Sequence, residues 1–395
     1  MPNLRTMVTE LGTGLGMLGD DDIDAALAAR SPVMRSLSPD DWDQLCAART
    51  GGAFEAEFHA AFENGRAFLS ADDGLRGRLP QVVEWKGVVR ASGDEVAPVD
   101  LRIDHVYLVS CKYLSDILFN VSPTHVFDDL LVGGQSRRGR GLGGDWFAEA
   151  ALEHYQKLYD IVRREVHDGS TADLKSAPAG TDSMQPMAAR ASVREGRTPQ
   201  LFGAETQRSE AATTTVRSAP ITSVGALPER VVELTTHQRS ALAAFLRGRW
   251  SDPAKTAYGE LSLAVAQASV LRWRRALEQR SGAAEAMLWR LLRMGSAPYF
   301  VLGSSPTRSL RLRVATPWDW RQLFVLDRLS VFAQTGGQPR VGWLAEVRER
   351  SSGQVHEVHG HVEIRWSHGR FGGPPEAKGY LDSGHHLVPG YFELA

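Results

Sequence analysis

Between residues 168 and 226 the chain changes character. The stretches DGSTADLKSAPAGTDSMQPMAARASVREGRTPQ and ETQRSEAATTTVRSAPITSVG are dominated by Ser, Thr, Ala, Gly and Pro. They hold too little periodic apolar content to offset the entropy of ordering a chain. This break constrains the fold more than any other feature. It divides 395 residues, enough for more than one core, into an N-terminal domain over 1–167, a linker or excursion over 168–226 and a C-terminal domain over 227–395.

Charge is divided unevenly between those parts. The formal net charge is -2, yet between Gly225 and Ser330 there are 16 Arg and Lys against 8 Asp and Glu. A field of that sign suits a polyanion, and it also suits an ordinary solvated helical surface. The two cysteines, Cys46 and Cys111, are far apart in sequence, which excludes a thiolate zinc knuckle and argues for a reducing compartment. The opening MPNLRTMVTELGTG lacks the basic segment and apolar core of a secretory signal, and no apolar run is long enough to cross a bilayer. A cytoplasmic protein with no membrane partner is expected.

Periodicity places the elements. In GGAFEAEFHAAFENGRAFLSA, Phe54, Phe58, Phe62 and Phe68 fall near helical spacing, while Glu55, His59 and Glu63 form a polar row at successive fours. Gly65 on that helix permits close approach of another element. The segment from Leu79 to Asp116 reads as a meander of three strands, over Val82–Val89, Val99–Ile103 and VYLVSCKY. Period-two alternation puts Ser110 and Lys112 on one face of the last strand. A basic loop, SRRGRGLGG, then precedes a helix whose Trp146, Tyr155, Tyr159 and Val162 form an apolar side. Beyond the break come three helices, the second opening on Asp252-Pro253, and five strands, an order that suggests an α+β domain.

The run PVDLRIDHVYLVSCKY carries an acid near one end and an ammonium near the other. Phosphodiester hydrolysis needs a hard metal held by carboxylates and a cation for the developing charge. At PVD (98–100) and SCK (110–112) the chain resembles the PD-(D/E)xK nuclease superfamily, a resemblance that covers roughly residues 50–165. It implies an α/β fold: a restriction-endonuclease-like core with a mixed sheet flanked by helices, followed here by the C-terminal α+β domain. It further implies a magnesium-dependent DNA endonuclease acting in restriction or defence, with Asp100 as a metal ligand and Lys112 orienting the attacking water. A Glu from the preceding helix completes such a site, and Glu63 takes that place, with Glu55 as substitute. Ser110 stands where the superfamily has an acid. Glu84 in EWK, on the neighbouring strand, is the carboxylate that could replace it. Asp104 rivals Asp100, although DH beside a β-branched run reads as a bend. The alternative is a non-catalytic nucleic-acid-binding or assembly protein on a degenerate scaffold. DNA is the expected partner, and a homodimer is expected because restriction enzymes pair to cut both strands.

Other residues offer weaker signals. Arg137, Arg138 and Arg140 in the basic loop, Arg272 and Arg275 in VLRWRRALEQR, and Arg311 and Arg313 in SLRLRV are candidate nucleic-acid contacts. Trp273, Trp318 and Trp320 read equally as stacking rings or core. Gln156 and Tyr159 in YQKLY face either substrate or the helix's own surroundings. His359 and His361 share a strand face with Glu357 and Glu363, a pattern that fits a transition metal or a solvated sheet. His385-His386 lies in a Gly- and Pro-bounded loop. There is no GxxxxGK[ST], GxGxxG after a strand, or HExxH, so no nucleotide cofactor is expected.

Overall fold

In the computed structural model, residues 3–87, 99–113, 117–130, 145–167, 227–248, 250–304, 309–366 and 368–395 are described. The N-terminal part contains α1 (Leu4–Leu15), α2 (Ile23–Ala29), β1 (Met34–Arg35), α3 (Pro39–Thr50) and α4 (Glu55–Ser70). The strands β2 (Val83–Trp85), β3 (Leu101–Ile103), β4 (Tyr107–Tyr113) and β5 (Ile117–Val121) follow, then α5 (Trp146–His167). After the compositional break come α6 (Thr236–Phe245), α7 (Asp252–Glu278), α8 (Ala283–Leu291), β6 (Tyr299–Ser304), β7 (Ser309–Val314) and α9 (Pro317–Leu323). The chain ends with β8 (Phe324–Gln334), β9 (Arg340–Glu349), β10 (Val355–Trp366), β11 (Pro375–Leu381) and β12 (Tyr391–Glu393).

The strands form a seven-stranded sheet ordered β1-β2-β3-β4-β6-β7-β12 and a five-stranded sheet ordered β5-β11-β10-β9-β8. In the first, β2, β3 and β4 make the expected antiparallel meander. β6 then runs parallel to β4, from Leu108 opposite Tyr299 to Tyr113 opposite Ser304. The second sheet is antiparallel throughout, and its edge strand β5 pairs with β11. The expected division into 1–167 and 227–395 therefore does not separate the sheets, because each takes strands from both sides of the break. A strand's free backbone groups need partners wherever the chain supplies them, and β4 and β5 find theirs in the C-terminal half.

One core lies between the seven-stranded sheet and α1 to α4. It is built from Val8, Leu11 and Leu15 of α1, Phe58, Phe62 and Phe68 of α4, and Leu101, Val109, Phe300 and Leu302 of the sheet. The larger core joins the opposite side of that sheet to α5, α7, α8 and the inner face of the second sheet. Trp273 and Trp320 are sealed in it, their indole N–H groups donating to the carbonyls of Val126 and Pro389, so neither is a stacking ring. Helix starts follow local chemistry. Ser38 and Asp41 form a capping box ahead of α3, and Ser251 caps α7 one residue before the expected Asp252.

α1 and α4 cross with their backbones in contact. A Cβ on Gly65 would lie 2.1 Å from the Thr13 carbonyl oxygen, and one on Gly16 would lie 2.1 Å from the Phe62 carbonyl oxygen. Neither obstacle is a side chain that can turn away. We expect Gly65→Ala to cost about 2–3 kcal/mol by overpacking. Gly259→Ala, in α7 with nothing within 4 Å of the new methyl, should stabilise by about 0.5–1 kcal/mol. Denaturant midpoints of the two variants check this, and a neutral Gly65→Ala would show that the two helices can separate freely.

Candidate active site

Asp100 precedes β3 at a bend, and its backbone is fixed on both sides. The Asp100 N–H donates to the Val109 carbonyl, and its own carbonyl accepts the Lys86 N–H, each at 2.9 Å. Its carboxylate lies against β4: Oδ2 accepts the Cys111 N–H at 2.6 Å and the Ser110 hydroxyl at 3.1 Å. Ser110 is fully buried and is also hydrogen-bonded to the Tyr299 hydroxyl. Ser110 thus lies between Tyr299 and Asp100.

The helix expected to offer a second acid turns it outward. Glu63 lies on the outer side of α4, its side chain 43% exposed and 3.9 Å from Arg66. Glu55 is exposed on the same row. The reason is geometric: α4 buries Phe58, Phe62 and Phe68 against the sheet, and a polar row at successive fours then faces out. The carboxyl whose charge reaches Asp100 and Lys112 is Glu10 of α1. Glu10 is buried, and its Oε2 accepts the Trp85 indole N–H at 2.6 Å. Burial, then the nearby charge of Asp100, pushes its pKa up to about 8, against the opposing influence of the Trp85 N–H and Lys112.

Lys112 is on the face of β4 that carries Ser110, opposite the face on which Val109 and Cys111 pack with α1. Burial lowers its pKa and the charge of Arg293 adds to the effect, while Asp100 opposes it. The Lys112 side chain opens into a narrow cleft of about 10 Å³, lined also by Leu118, Arg293, Tyr299, His385 and Tyr391. That is about the space one water needs. Arg293 is buried, its guanidinium donates to the Leu118 carbonyl, and it sits 5.8 Å from the centre of the Tyr299 ring.

Glu84 and Lys86 flank Trp85. The Lys86 ammonium is 3.4 Å from Glu84 Oε1, so Glu84 is held by a cation on its own strand. The EWK triplet nonetheless touches both acids, Glu10 through the Trp85 indole and Asp100 through the Lys86 amide. Asp104 is the bend residue expected: it has φ 49°, its Oδ1 accepts the Gln81 and Val82 N–H groups, and Oδ2 is 2.7 Å from Arg78.

The remaining candidates mostly serve the fold. Arg272 is bound to Asp128 at 2.6 Å and lies over the Trp146 ring. Arg311 donates to Asn64 at 3.0 Å, and Arg313 pairs with Asp73 at 3.3 Å. These three are therefore engaged within the chain, whereas Arg275 is exposed on α7. Arg137, Arg138 and Arg140 fall outside the described residues. Gln156 and Tyr159 bind backbone groups of the segment at 228–231. His361 pairs with Asp382 at 2.9 Å and stacks on Tyr380, and among the described residues no three His, Cys, Asp or Glu are grouped to hold a metal. Nor is any helix among them long and apolar enough to cross a membrane.

No family model, curated protein or solved structure matches the chain.

The raised pKa of Glu10 carries a stability consequence. Between about 4.5 and 8 the folded state holds a proton that the unfolded state releases, so stability falls as pH rises through that window. Glu10→Gln keeps an acceptor for Trp85 and removes the charge. We expect its melting temperature to match the parent at pH 4.5 and to exceed it increasingly toward pH 9 without added metal, each pKa unit being worth about 1.36 kcal/mol. Parallel melting curves across pH would contradict this.

Proposed function

We propose that the chain is a magnesium-dependent DNA endonuclease of the restriction-endonuclease-like kind, working in a reducing, cytoplasmic setting in restriction or defence. One observation carries the reading: in a mixed sheet, the Asp100 carboxylate is bonded to the Ser110 hydroxyl and the Cys111 N–H of β4, the strand that carries Lys112. The order of elements supports it, since a helix with a row of acids, a three-strand meander and then a further helix are what the resemblance implies.

The donor set suits magnesium rather than zinc. Two carboxyls with little else fit an ion that keeps most of its waters and takes one or two carboxylates. Burial, with the charge of Asp100 second, keeps Glu10 protonated near neutrality, a cost that a bound divalent cation would offset. Asp100 and Glu10 would hold the ion, which supplies a polarised phosphate and an acidified water when bound. Asp100 is kept in place by Cys111 N–H and by Ser110, which Tyr299 in turn positions. Lys112 projects beside it with no carboxylate bonded to its ammonium among the described residues, as a cation facing a phosphate or its attacking water requires.

A second reading has its own observation. Ser110 replaces an acid, and no three-ligand cluster occurs among the described residues, so the scaffold could bind nucleic acid without cutting it. Incubating plasmid and single-stranded DNA with the protein, with and without magnesium, separates the two. We expect magnesium-dependent cleavage reduced at least about 10²-fold in Asp100→Asn and Lys112→Met, magnitudes typical of losing a charge-stabilising or proton-handling group. Glu63→Gln should cleave as the parent does. DNA binding without cutting by any variant would establish the second reading.

A further inference from the structure

We propose that the outer face of α7 is the surface through which two copies of this chain pair about a two-fold axis. The proposal stands independently of the hydrolytic reading above. α7 is 27 residues long and buries Leu261, Val265, Ser269 and Trp273 on its inner side. The outer side carries Glu260, Leu263, Gln267, Leu271 and Arg274, all of them exposed. Steps of three and four residues set these five in one line along the helix. Leu263 is 37% exposed and Leu271 is 50% exposed, so the middle of the line is apolar on both sides of Gln267.

The line is its own complement. Read along the chain it runs acid, leucine, amide, leucine, base, symmetric about Gln267 in its apolar members and opposite in charge at its ends. A two-fold axis across the helix lays the line antiparallel on its copy. Gln267 then meets Gln267 of the second copy, Leu263 meets Leu271, and Glu260 meets Arg274, the last two contacts each occurring twice. A Gln side chain holds both donors and an acceptor, so two of them can bond each other. A parallel pairing would set Glu260 on Glu260 and Arg274 on Arg274, so charge selects the antiparallel one. The end residues keep capacity for these contacts. Glu260 gives Oε2 to Lys157 and its side chain stays 43% exposed, while Arg274 donates through one nitrogen to the Val331 carbonyl at 3.1 Å and has further N–H groups to offer. A polyanion is the poorer occupant, because the line holds as many acids as bases and has leucines between them.

Sedimentation of the full-length protein over a concentration series tests the pairing. One helix pair lies at the small end of specific interfaces, so we expect dimers at concentrations on the order of 10–100 µM. Leu271→Glu sets a charge against Leu263 of the second copy, and Glu260→Arg sets two arginines together; each should weaken the dimer about 10-fold or more. Combining Glu260→Arg with Arg274→Glu exchanges the ends of the line and should return the dimer to within a few-fold of the parent. Damage to the fold, or loss of the Lys157 contact, would not be rescued in this way. Gln267→Cys, at the axis, should cross-link to its own copy under diamide, whereas Thr256→Cys, about 16 Å along the helix from the axis, should cross-link no more than the parent with its Cys46 and Cys111. A parent that stays monomeric up to about 1 mM would overturn the proposal. So would a dimer that the Leu271 and Glu260 variants leave unchanged, or a Gln267→Cys variant that fails to cross-link, since the copies would then meet through another face.

Discussion

The parallel pairing of β4 with β6 is the contact through which the two ends of the chain become one site. Asp100, Ser110 and Lys112 belong to the N-terminal meander, whereas Tyr299, Arg293, His385 and Tyr391 lie beyond the compositional break. The pairing puts Lys112 opposite Gly303, so closely that a Cβ there would lie 2.1 Å from the Lys112 carbonyl oxygen. A side chain at 303 would push β6 off the strand that carries the lysine. A parallel pair needs a long crossover, and here the crossover includes α5, α7 and α8, whose packing forms most of the larger core.

Burial gives the site its electrical character. An acid in water beside another acid loses little, but in a low-dielectric interior the same pair is costly. The protein divides that cost between two devices. Asp100 has two hydrogen-bond donors on one carboxylate oxygen. Glu10 receives one indole N–H and is otherwise pushed toward its neutral form. Lys112 is drawn two ways, with burial and Arg293 favouring the amine and Asp100 favouring the ammonium. Such opposed influences on neighbouring groups are characteristic of sites that move protons or bind ions.

Much of this was legible in the residues, and what was missed has identifiable causes. The meander, its bend at Asp104 and the shared face of Ser110 and Lys112 follow from β-branched alternation and turn chemistry, and all are found. Arg311 and Arg313 alternate with buried Leu310, Leu312 and Val314 as read, yet their partners Asn64 and Asp73 are distant in sequence and could not be inferred. The interleaving of the sheets was hidden for the same reason: strand order is decided by long-range pairing, while composition reports only local breaks. α1 escaped notice because Gly12, Gly14, Thr9 and Thr13 depress helix propensity, even though Met7, Val8, Leu11 and Leu15 keep a helical face. The signal that would have found it is that periodicity, read together with a single acid, Glu10, one residue before Leu11.

The residues that weaken α1 as a helix are also what let it deliver Glu10. Gly12 and Gly16 of the first helical segment meet Ala61 and the Phe62 carbonyl of α4, so the two helices approach far more closely than side chains would allow. α1 is thereby set down on β2 and β4, where Trp85 can reach Glu10 and where Thr13 bonds the Cys111 thiol next to Asp100. On the proposed nuclease reading, Glu10 of α1 would supply the second carboxylate, and Ser110 could then be a hydroxyl. Its hydroxyl donates to Asp100 and adjoins Tyr299, so this position links the acid to the strand from the other half of the chain. An acid placed at 110 would set a second buried carboxylate against Asp100.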